Sequence, residues 1–409
     1  MLLRRLYGKR LPWMCYSFHS MATCGVYIQV PFCQTKCTYC NFHTGVVSSN
    51  RFAPYIEAVE HEIAKHSAWY ATSGIALPPE LDRASVDTVY IGGGTPSLLD
   101  PVLLTNLLGA LRDTFAPWCE EITLEADPET IDSNKAARWV ATGINRISFG
   151  CQSFVDEELK SAGRMHRRAD IDNAVPILRQ AGIRNISFDL IAGLPKQTHD
   201  SWQYSLTEAV ALSPEHISIY MMEIDEGSRL GLEVLNGGSR YSVRELPTEE
   251  AMAEFYELAQ ADLAAAGYEQ YEISNWAKPG FASKHNLKYW RREPYLGFGA
   301  GAHSFSGRQR WANLHDPSAY VSSIASGKLA IVAPETVTPQ SALEEELFLG
   351  LRQLAGIDLA RIERHYGVDL EEKVVHLASK GMVEREGDFL RLAPAKLSIS
   401  NEVLVELLR

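Results

Sequence analysis

The chain has 409 residues, 46% of them hydrophobic, which is enough for a sizeable core and for two or three domains. A formal net charge of -12 at pH 7 argues against nucleic acid as a partner, because a phosphate-binding surface needs an excess of lysine and arginine. No stretch approaches the roughly 18 apolar residues of a membrane-spanning helix, and the cysteine usage fits a reducing compartment, so we expect a soluble cytoplasmic protein that is not transmembrane.

The N-terminal residues 1–24 form a basic extension. Residues 1–56 contain six basic residues and no acidic one, so the acidic excess lies in the rest of the chain. Three explanations remain open: an organellar transit peptide, an overlong gene prediction whose true start is Met21, or a weakly ordered basic arm. Pro12 interrupts any amphipathic helix here and favours the second and third explanations over organellar targeting.

The first predicted strand, from Val26 to Val30, leads directly into three cysteines, Cys33, Cys37 and Cys40, spaced C-x3-C-x2-C. Thiolates prefer soft metals, and a four-iron cluster needs one ligand for each iron, so three local cysteines leave one iron open. Unrelated buried thiols are one alternative, and zinc with a distant fourth ligand is another. Zinc ligands usually come as two paired C-x2-C units, and the sequence has no second pair. The spacing therefore predicts a [4Fe-4S] cluster.

Helices and strands alternate after the cysteines. Further strands are predicted at 87–93, 121–127, 145–153, 185–193 and 216–223. Helices are predicted at 51–70, 101–111, 128–141, 170–181 and 200–212. This order predicts an α/β fold with a parallel sheet, whose ligands bind at the carboxyl ends of the strands. The segment GGGTPS at 92–97 and four polar residues follow such ends, although each alone is also typical of an ordinary turn or cap: Glu125, Gln152, Arg164 and Asp189.

The rest of the chain is predicted to extend the barrel and then to form a separate domain. A lid or linker at 226–247 precedes a helix at 248–267 and an aromatic, glycine-rich stretch at 268–315. From about residue 337, three helices precede a hairpin-like segment, MVEREGDFLRLA, an order typical of a winged-helix domain. We place the domains at 25–225, 226–336 and 337–409.

Four motifs together resemble the oxygen-independent coproporphyrinogen oxidase branch of the radical S-adenosylmethionine (SAM) superfamily. They are VYIQVPFC-x3-C-x2-C, GGGTPS, FGCQSF followed by GRMH, and FDLIAGLP. The resemblance runs from about 25 to 315 and implies a partial (β/α)6 barrel that binds a [4Fe-4S] cluster and SAM. It also implies a set of SAM-binding residues: Tyr27, Tyr39, Gly93, Gly94, Thr95, Glu125, Gln152, Arg164 and Asp189.

One position separates two groups within this branch. The oxidases carry a fourth cysteine two residues after the third, where this chain has Phe42. The HemW-type heme chaperones have phenylalanine there and an H-N-x-x-Y-W signature, which is present here as HNLKYW at 285–290. The resemblance is therefore to the HemW-type heme chaperones. It implies heme as cargo and an apo-hemoprotein as acceptor, with an acceptor at the membrane surface as one option.

The HNLKYW segment has the groups that a porphyrin needs, in addition to Asn286. His285 is a candidate axial ligand, Tyr289 is a second one, and Trp290 offers a flat apolar face. Lys288, Arg291 and Arg292 are candidate partners of the propionates. His303, in GAGAHSF, is another candidate ligand.

Three other interpretations stay open for this chain. HNLKYW is also typical of a buried structural network. The protein could be a coproporphyrinogen III dehydrogenase, or a radical SAM enzyme with another substrate. Whether it is an enzyme at all is left open.

Overall fold

The computed structural model describes residues 23–77, 85–115 and 119–408. The predicted extension at 1–24 therefore lies almost entirely outside the described residues. Among those residues, no helix is long and apolar enough to cross a membrane.

A large mixed sheet forms the centre of the molecule. Twelve of the described strands build it: β1 (Thr23–Val30), β2 (Ser85–Gly93), β3 (Glu121–Ala126), β4 (Arg146–Gln152), β5 (Asn185–Ala192), β6 (His216–Met221), β7 (Glu269–Glu272), β8 (Asn275–Ala277), β9 (Tyr295–Phe298), β10 (His303–Phe305), β11 (Gln309–Ala312) and β12 (Glu335–Thr336). Their order is β12-β11-β10-β9-β1-β2-β3-β4-β5-β6-β8-β7. Strands β1 to β6 are parallel neighbours in chain order, as a partial (β/α)6 barrel requires. Strand β9 adds to β1 in parallel, and β8 adds to β6 antiparallel.

Fourteen α-helices lie in the part of the chain that the structure describes. They are α1 (Phe52–Thr72), α2 (Pro101–Thr114), α3 (Ser133–Ala141), α4 (Asp156–Ser161), α5 (Arg168–Ala181), α6 (His199–Ala211), α7 (Arg229–Leu235), α8 (Glu249–Ala265), α9 (Lys284–Trp290), α10 (Pro317–Ala325), α11 (Pro339–Leu351), α12 (Leu359–Tyr366), α13 (Glu371–Ser379) and α14 (Ser400–Leu408). The β-α alternation predicted from the sequence is confirmed.

The two faces of the parallel strands differ in polarity. In β4, Ile147 and Phe149 are buried in the hydrophobic core, whereas Arg146 and Ser148 point to the other face, because side chains alternate along a strand. The same alternation in β1 to β6 makes the inner, concave face polar. We call the space that this face encloses the lumen. The end of the lumen at the carboxyl ends of the strands is the mouth, and the opposite end is the floor.

Two predicted elements differ from the structure. The helix predicted at 128–141 begins only at Ser133, since Asp132 caps α3 by accepting a hydrogen bond from the Lys135 backbone N–H, and 128–130 form a 3-10 turn. The segment 226–247, predicted as a loop, contains α7 and a 3-10 turn at 240–245. Its start is fixed because the Leu230 N–H donates to the carbonyl of Thr38, 2.8 Å away.

The C-terminal residues form a small α+β unit with the predicted winged-helix order. Helices α11, α12 and α13 precede the hairpin of β14 (Val383–Glu386) and β15 (Phe389–Leu392). A third strand, β13 (Ile357–Asp358), gives the sheet order β13-β15-β14. Residues from 226–336 supply β7 to β12 of the main sheet. The domain boundaries remain predictions.

Candidate cofactor and ligand sites

The three clustered cysteines lie at the mouth, in the loop that follows β1. Cys33, Cys37 and Cys40 are all half-buried. The base of the loop is closed because the Cys33 N–H donates to the Gly45 carbonyl, at 3.0 Å. Its side is fixed to the end of α4, where the Thr38 N–H donates to the Ala162 carbonyl at 2.9 Å. Burial raises the pKa of the Cys33 thiol.

This donor set fits an iron–sulfur cluster by its chemistry, because three thiols in one short loop supply three soft ligands. Among the described residues, no three His, Cys, Asp or Glu side chains are placed to share one metal ion. A four-iron cluster does not need that closeness, since each thiolate binds a different iron. Phe42, at the position of the oxidases' fourth cysteine, is 65% exposed and points no ligand atom at the loop.

Arg164 connects the cysteine loop to the strand ends. Its guanidinium donates to Cys37 Sγ at 3.4 Å, to the Gly150 carbonyl at 2.9 Å, and to the Asp127 carboxylate. Thr95 Oγ1 donates to the same carboxylate at 3.0 Å. Two predicted SAM-binding residues, Thr95 and Arg164, are therefore joined through Asp127, which the sequence analysis did not single out. Its position directly after β3 was the available signal.

Glu125 lies at the centre of the mouth. Its carboxylate accepts hydrogen bonds from the Tyr90 hydroxyl and from the Gly93 N–H, each at 2.9 Å. Burial raises the pKa of Glu125 to about 7. Tyr27 stacks on Tyr90 with ring centroids 6.1 Å apart. The carboxyl group is therefore fixed, desolvated and able to hold a proton near neutral pH.

The remaining predicted SAM residues also border the lumen or its mouth. Asp189 accepts a hydrogen bond from Ser148 Oγ at 3.1 Å, and burial raises the pKa of Asp189. Gln152 ends β4 in a left-handed conformation with φ 64°. Tyr39 packs beside α7 in the cluster that contains Leu230. The nine predicted residues thus line the lumen and its mouth, with Tyr27 and Asp189 in the middle of β1 and β5.

The glycines at 92–94 have individual reasons to lack a side chain. A Cβ on Gly94 would overlap the carbonyl oxygen of Phe32, and one on Gly93 would overlap the amide of Gln29. A Cβ on Gly92 would lie 2.8 Å from a Glu125 oxygen. The close approach at Gly94 is therefore to the cysteine loop itself.

The HNLKYW segment lies at the floor, at the opposite end of the lumen. Helix α9 carries it, and His285 is 1% exposed. His285 Nδ1 lies 2.9 Å from Thr88 Oγ1, and Nε2 lies 2.8 Å from the Tyr289 hydroxyl. Burial lowers the pKa of His285 to about 3, so the imidazole is neutral. Both ring nitrogens are already engaged.

The predicted propionate partners are mostly paired. Lys288 forms ion pairs with Asp87 at 2.8 Å and Glu293 at 3.1 Å, and its side chain is buried. Arg292 pairs with Glu345 at 2.9 Å. The prediction that Lys288 is available to a propionate conflicts with this arrangement.

A cavity of about 550 Å³ lies between the floor and the C-terminal domain. Five aromatic residues line it: Tyr289, Trp290, Tyr295, Phe305 and Phe348. Arg292 and Arg310 line it as well, and both donate to Glu345 of α11. The Trp290 indole Nε1 is buried without a hydrogen-bond partner among the described residues. Two of the predicted heme residues, Tyr289 and Trp290, therefore share one aromatic cavity.

The structure separates His303 from this group. Strand β10 runs antiparallel to β9, and its last residue, Phe305, pairs with Tyr295 near the floor. His303 is the first residue of β10 and therefore lies toward the mouth. The neighbours of His303 there include His315, which contacts His43 with ring centroids 4.3 Å apart. Asn286, on α9, donates its backbone N–H to Ser283 Oγ at 3.3 Å.

Comparisons with known proteins agree with this arrangement. A family model for the radical SAM superfamily matches residues 27–209, and one for the HemN C-terminal domain matches residues 337–395. The chain is 34% identical to the heme chaperone HemW of Bacillus subtilis, over 92% of this chain and 97% of that protein. It is 34% identical to the heme chaperone HemW of Mycobacterium tuberculosis, over 94% of each.

Two further comparisons extend this picture. The chain is 30% identical to the mitochondrial radical S-adenosyl methionine domain-containing protein 1 of Bos taurus, over 81% of this chain and 74% of that protein. Among solved structures, the coproporphyrinogen III oxidase HemN of Escherichia coli superposes with a TM-score of 0.78 and 22% identity, over 95% of this chain and 90% of that one. At that identity the likeness shows the fold alone.

Proposed function

Because the chain belongs to the HemW family of heme chaperones within the radical SAM superfamily, we propose that it binds heme and passes it to an apo-hemoprotein. The superfamily implies a [4Fe-4S] cluster and SAM. We assign the cluster to Cys33, Cys37 and Cys40, whose loop leaves one iron for SAM. An acceptor at a membrane surface stays a prediction.

The mouth residues have suitable chemistry for SAM. The cluster, when bound, supplies the electron that can cleave the sulfonium S–C bond. Arg164 holds a charge beside Cys37, where a carboxylate approaching the open iron would meet it. Glu125 offers a fixed acceptor to an ammonium or hydroxyl group, and Asp189 offers one to ribose hydroxyls.

We place heme in the aromatic cavity between the floor and the C-terminal domain. The observation that carries this placement is that Tyr289 and Trp290 of HNLKYW line it together with two arginines. A volume of about 550 Å³ falls within the range of roughly 300–1,000 Å³ typical of small-molecule sites. Aromatic faces suit a porphyrin ring, and Arg292 and Arg310 suit its propionates.

Tyr289 is the axial ligand that this arrangement favours, with His285 as its positioning residue. His285 does not line the cavity, and to bind iron it would have to give up one of its two hydrogen bonds. A neutral His285 with its proton on Nε2 can donate to a Tyr289 phenolate. Its Nδ1 is then an acceptor, and the Thr88 hydroxyl can donate to it. Ligation by His285 itself is the alternative.

Titration with hemin tests this assignment. Tyr289→Phe should weaken binding at least about tenfold and remove the charge-transfer band of a ferric phenolate, since the axial oxygen is lost. Tyr295→Phe is the matched control, because it removes a hydroxyl from the same cavity and should change affinity by less than about threefold. If His285→Ala removes the axial ligand signature while Tyr289→Phe keeps it, His285 is the ligand.

An enzymatic assay separates the chaperone from its main rival. With the cluster reconstituted, SAM and a reductant present, coproporphyrinogen III should remain unchanged. Robust formation of protoporphyrinogen would show that the protein is a coproporphyrinogen III dehydrogenase and would contradict the proposed function. Hemin that fails to bind the wild-type protein would also refute it.

A further inference from the structure

Arg146 is a buried arginine without a partner at the floor of the lumen. It begins β4, and it is 1% exposed. Its Nε has no hydrogen-bond partner among the described residues, and no ion pair or hydrogen bond links its guanidinium to any of them. Its neighbour Ile147 points into the core, so Arg146 points into the lumen. A buried charge without a partner is costly, and it is retained where a ligand supplies the partner.

A second unpartnered group lies beside it. Thr123 of β3 is the register partner of Arg146. Its Oγ1 is buried and also lacks a hydrogen-bond partner among the described residues. Two groups that can donate therefore face the same space, and an acceptor group placed between them would satisfy both. Asn185, the register partner of Arg146 on β5, also has a buried Oδ1 without a partner among the described residues, and it forms no hydrogen bond with Arg146.

Among the described residues, no carboxylate forms an ion pair with the guanidinium. His285 and His216 are both close enough to feel its charge: burial and then Arg146 lower the pKa of His216, and burial, Lys288 and Arg146, in that order, lower the pKa of His285. His216 is fixed between Ser187 Oγ and the Tyr271 hydroxyl, at 2.8 Å from each. Asp189 is a nearby carboxylate: burial raises its pKa, the charge of Arg146 acts in the opposite direction, and its oxygen accepts from Ser148 Oγ without forming an ion pair with Arg146.

The position of Arg146 excludes the carboxylate of SAM as the missing acceptor. Arg146 and Gln152 stand at opposite ends of β4. Six residues along a strand span roughly 20 Å, and the SAM carboxylate must remain beside the cysteine loop. A different ligand must supply the acceptor at the floor.

We propose that Arg146 and Thr123 form a carboxylate-binding site at the floor of the lumen, which holds a ligand other than SAM. A guanidinium presents parallel N–H donors that match the two oxygens of a carboxylate, and the Thr123 hydroxyl adds a third donor. The carboxylate comes either from a free organic acid or from a porphyrin propionate. Only the second source depends on the proposed function.

Thermal unfolding of the cluster-loaded, SAM-bound protein in the presence of small acids tests the site. Acetate, propionate, succinate and glutarate are compared with chloride at equal ionic strength. At least one acid should raise the Tm of the wild type, and Arg146→Met should lose that rise. Thr123→Val should reduce it, because one donor is removed without a change of shape. Arg179→Gln, which breaks a partly buried ion pair with Glu215 outside the lumen, should keep the full rise.

The Tm of the ligand-free variants gives an independent readout. Arg146→Met and Thr123→Val remove unpartnered buried groups, so they should leave the Tm unchanged or raise it. Arg179→Gln should lower it, because it breaks a formed pair. A structural role for Arg146 would instead lower the Tm of Arg146→Met and would overturn the proposal.

Hemin and hemin dimethyl ester separate the two sources of the carboxylate. Tighter binding of hemin than of its ester by the wild type, with the difference reduced in Arg146→Met but not in Arg179→Gln, identifies a propionate. A Tm rise with small acids alone identifies a free organic acid. The proposal is wrong if no acid raises the Tm and the difference in affinity between hemin and its ester is the same in Arg146→Met as in the wild type. Failure of hemin to bind at all refutes the proposed function and leaves the small-acid arm decisive.

Discussion

Gly94 shows how a single residue can serve a purpose different from the one its motif suggests. The glycine-rich segment predicts close approach of the backbone to SAM, whereas a Cβ at Gly94 would overlap Phe32 in the cysteine loop. Gly94→Ala should therefore displace the loop and lower the iron bound per chain after anaerobic reconstitution, even without SAM.

Gly45→Ala is the matched control for that prediction. It changes a glycine of the same loop, but its Cβ would have no atom within 4 Å. Iron and sulfide content should then stay at the wild-type level. If Gly94→Ala keeps a full cluster and loses only SAM, the motif's original interpretation holds and the packing explanation is wrong.

For single residues, the sequence predicts the place in the fold better than it predicts which other residues they contact. The residues of the mouth could be predicted because they follow strand ends, and parallel strands bring those ends together. The ion pair of Lys288 with Asp87 could not be predicted, because the two residues are 201 positions apart in the chain and leave no local pattern. Arg146 and Thr123 carried a usable signal: polar residues alternating with core residues in two buried strands.

Among the elements, helix α9 shows the limit of motif reading. The HNLKYW letters were recognisable, but which end of the sheet they occupy depends on tertiary contacts such as that between His285 and Thr88 of β2. Helix α3 shows a local limit, since Pro128 suggested a helix start that Asp132 supplies four residues later.

Helix α1 contains a buried carboxyl group that should make stability depend on pH. Glu62 accepts hydrogen bonds from the Tyr320 hydroxyl at 2.6 Å, Asn313 Nδ2 at 2.8 Å and the Gly299 N–H at 3.0 Å. Burial nevertheless raises the pKa of Glu62 from 4.5 to about 7. The folded protein thus binds more protons than the unfolded chain between these values, and the free energy of unfolding falls as pH rises through them.

Denaturant titrations at pH 5 and pH 8 should measure this effect. The contribution of Glu62 is at most roughly 3 kcal/mol, because one pKa unit corresponds to about 1.4 kcal/mol. Glu62→Gln should flatten the loss of stability between the two pH values. Glu57→Gln, on the exposed side of α1, should retain the wild-type slope. An unchanged slope in Glu62→Gln would assign the pH dependence to other groups.

For the whole molecule, the six parallel strands were predictable and the edges of the sheet were not. Strands β1 to β6 each contain a clear apolar run. Strands β9 to β12 have two to four residues, too few to show a period, and β9 pairs with β1 from about 270 residues away. The aromatic cavity lies between β9–β10 and the C-terminal domain. Its lining residues are far apart in the chain, so the sequence alone could not predict it.

Glu345 links that domain to the barrel and should also limit access to the cavity. Burial alone would raise its pKa, but hydrogen bonds from Arg310 and Arg292 outweigh burial and lower the pKa of Glu345. If these arginines take heme propionates, Glu345 competes for them. Glu345→Gln should therefore bind hemin severalfold more tightly at low salt, with a smaller gain at high salt. It should also lose about 1 kcal/mol of unfolding free energy, since the ion pairs are partly exposed.

Glu344→Gln provides the comparison that separates charge competition from domain docking. Glu344 lines the same cavity but accepts from Gln340 at 2.7 Å and does not bond to either arginine. Its substitution should leave hemin affinity within about twofold of the wild type and the salt dependence nearly unchanged. Weaker hemin binding in Glu345→Gln would show that the ion pairs hold the cavity open by fixing α11. In that case the two arginines act on heme through the domain interface and not through its propionates.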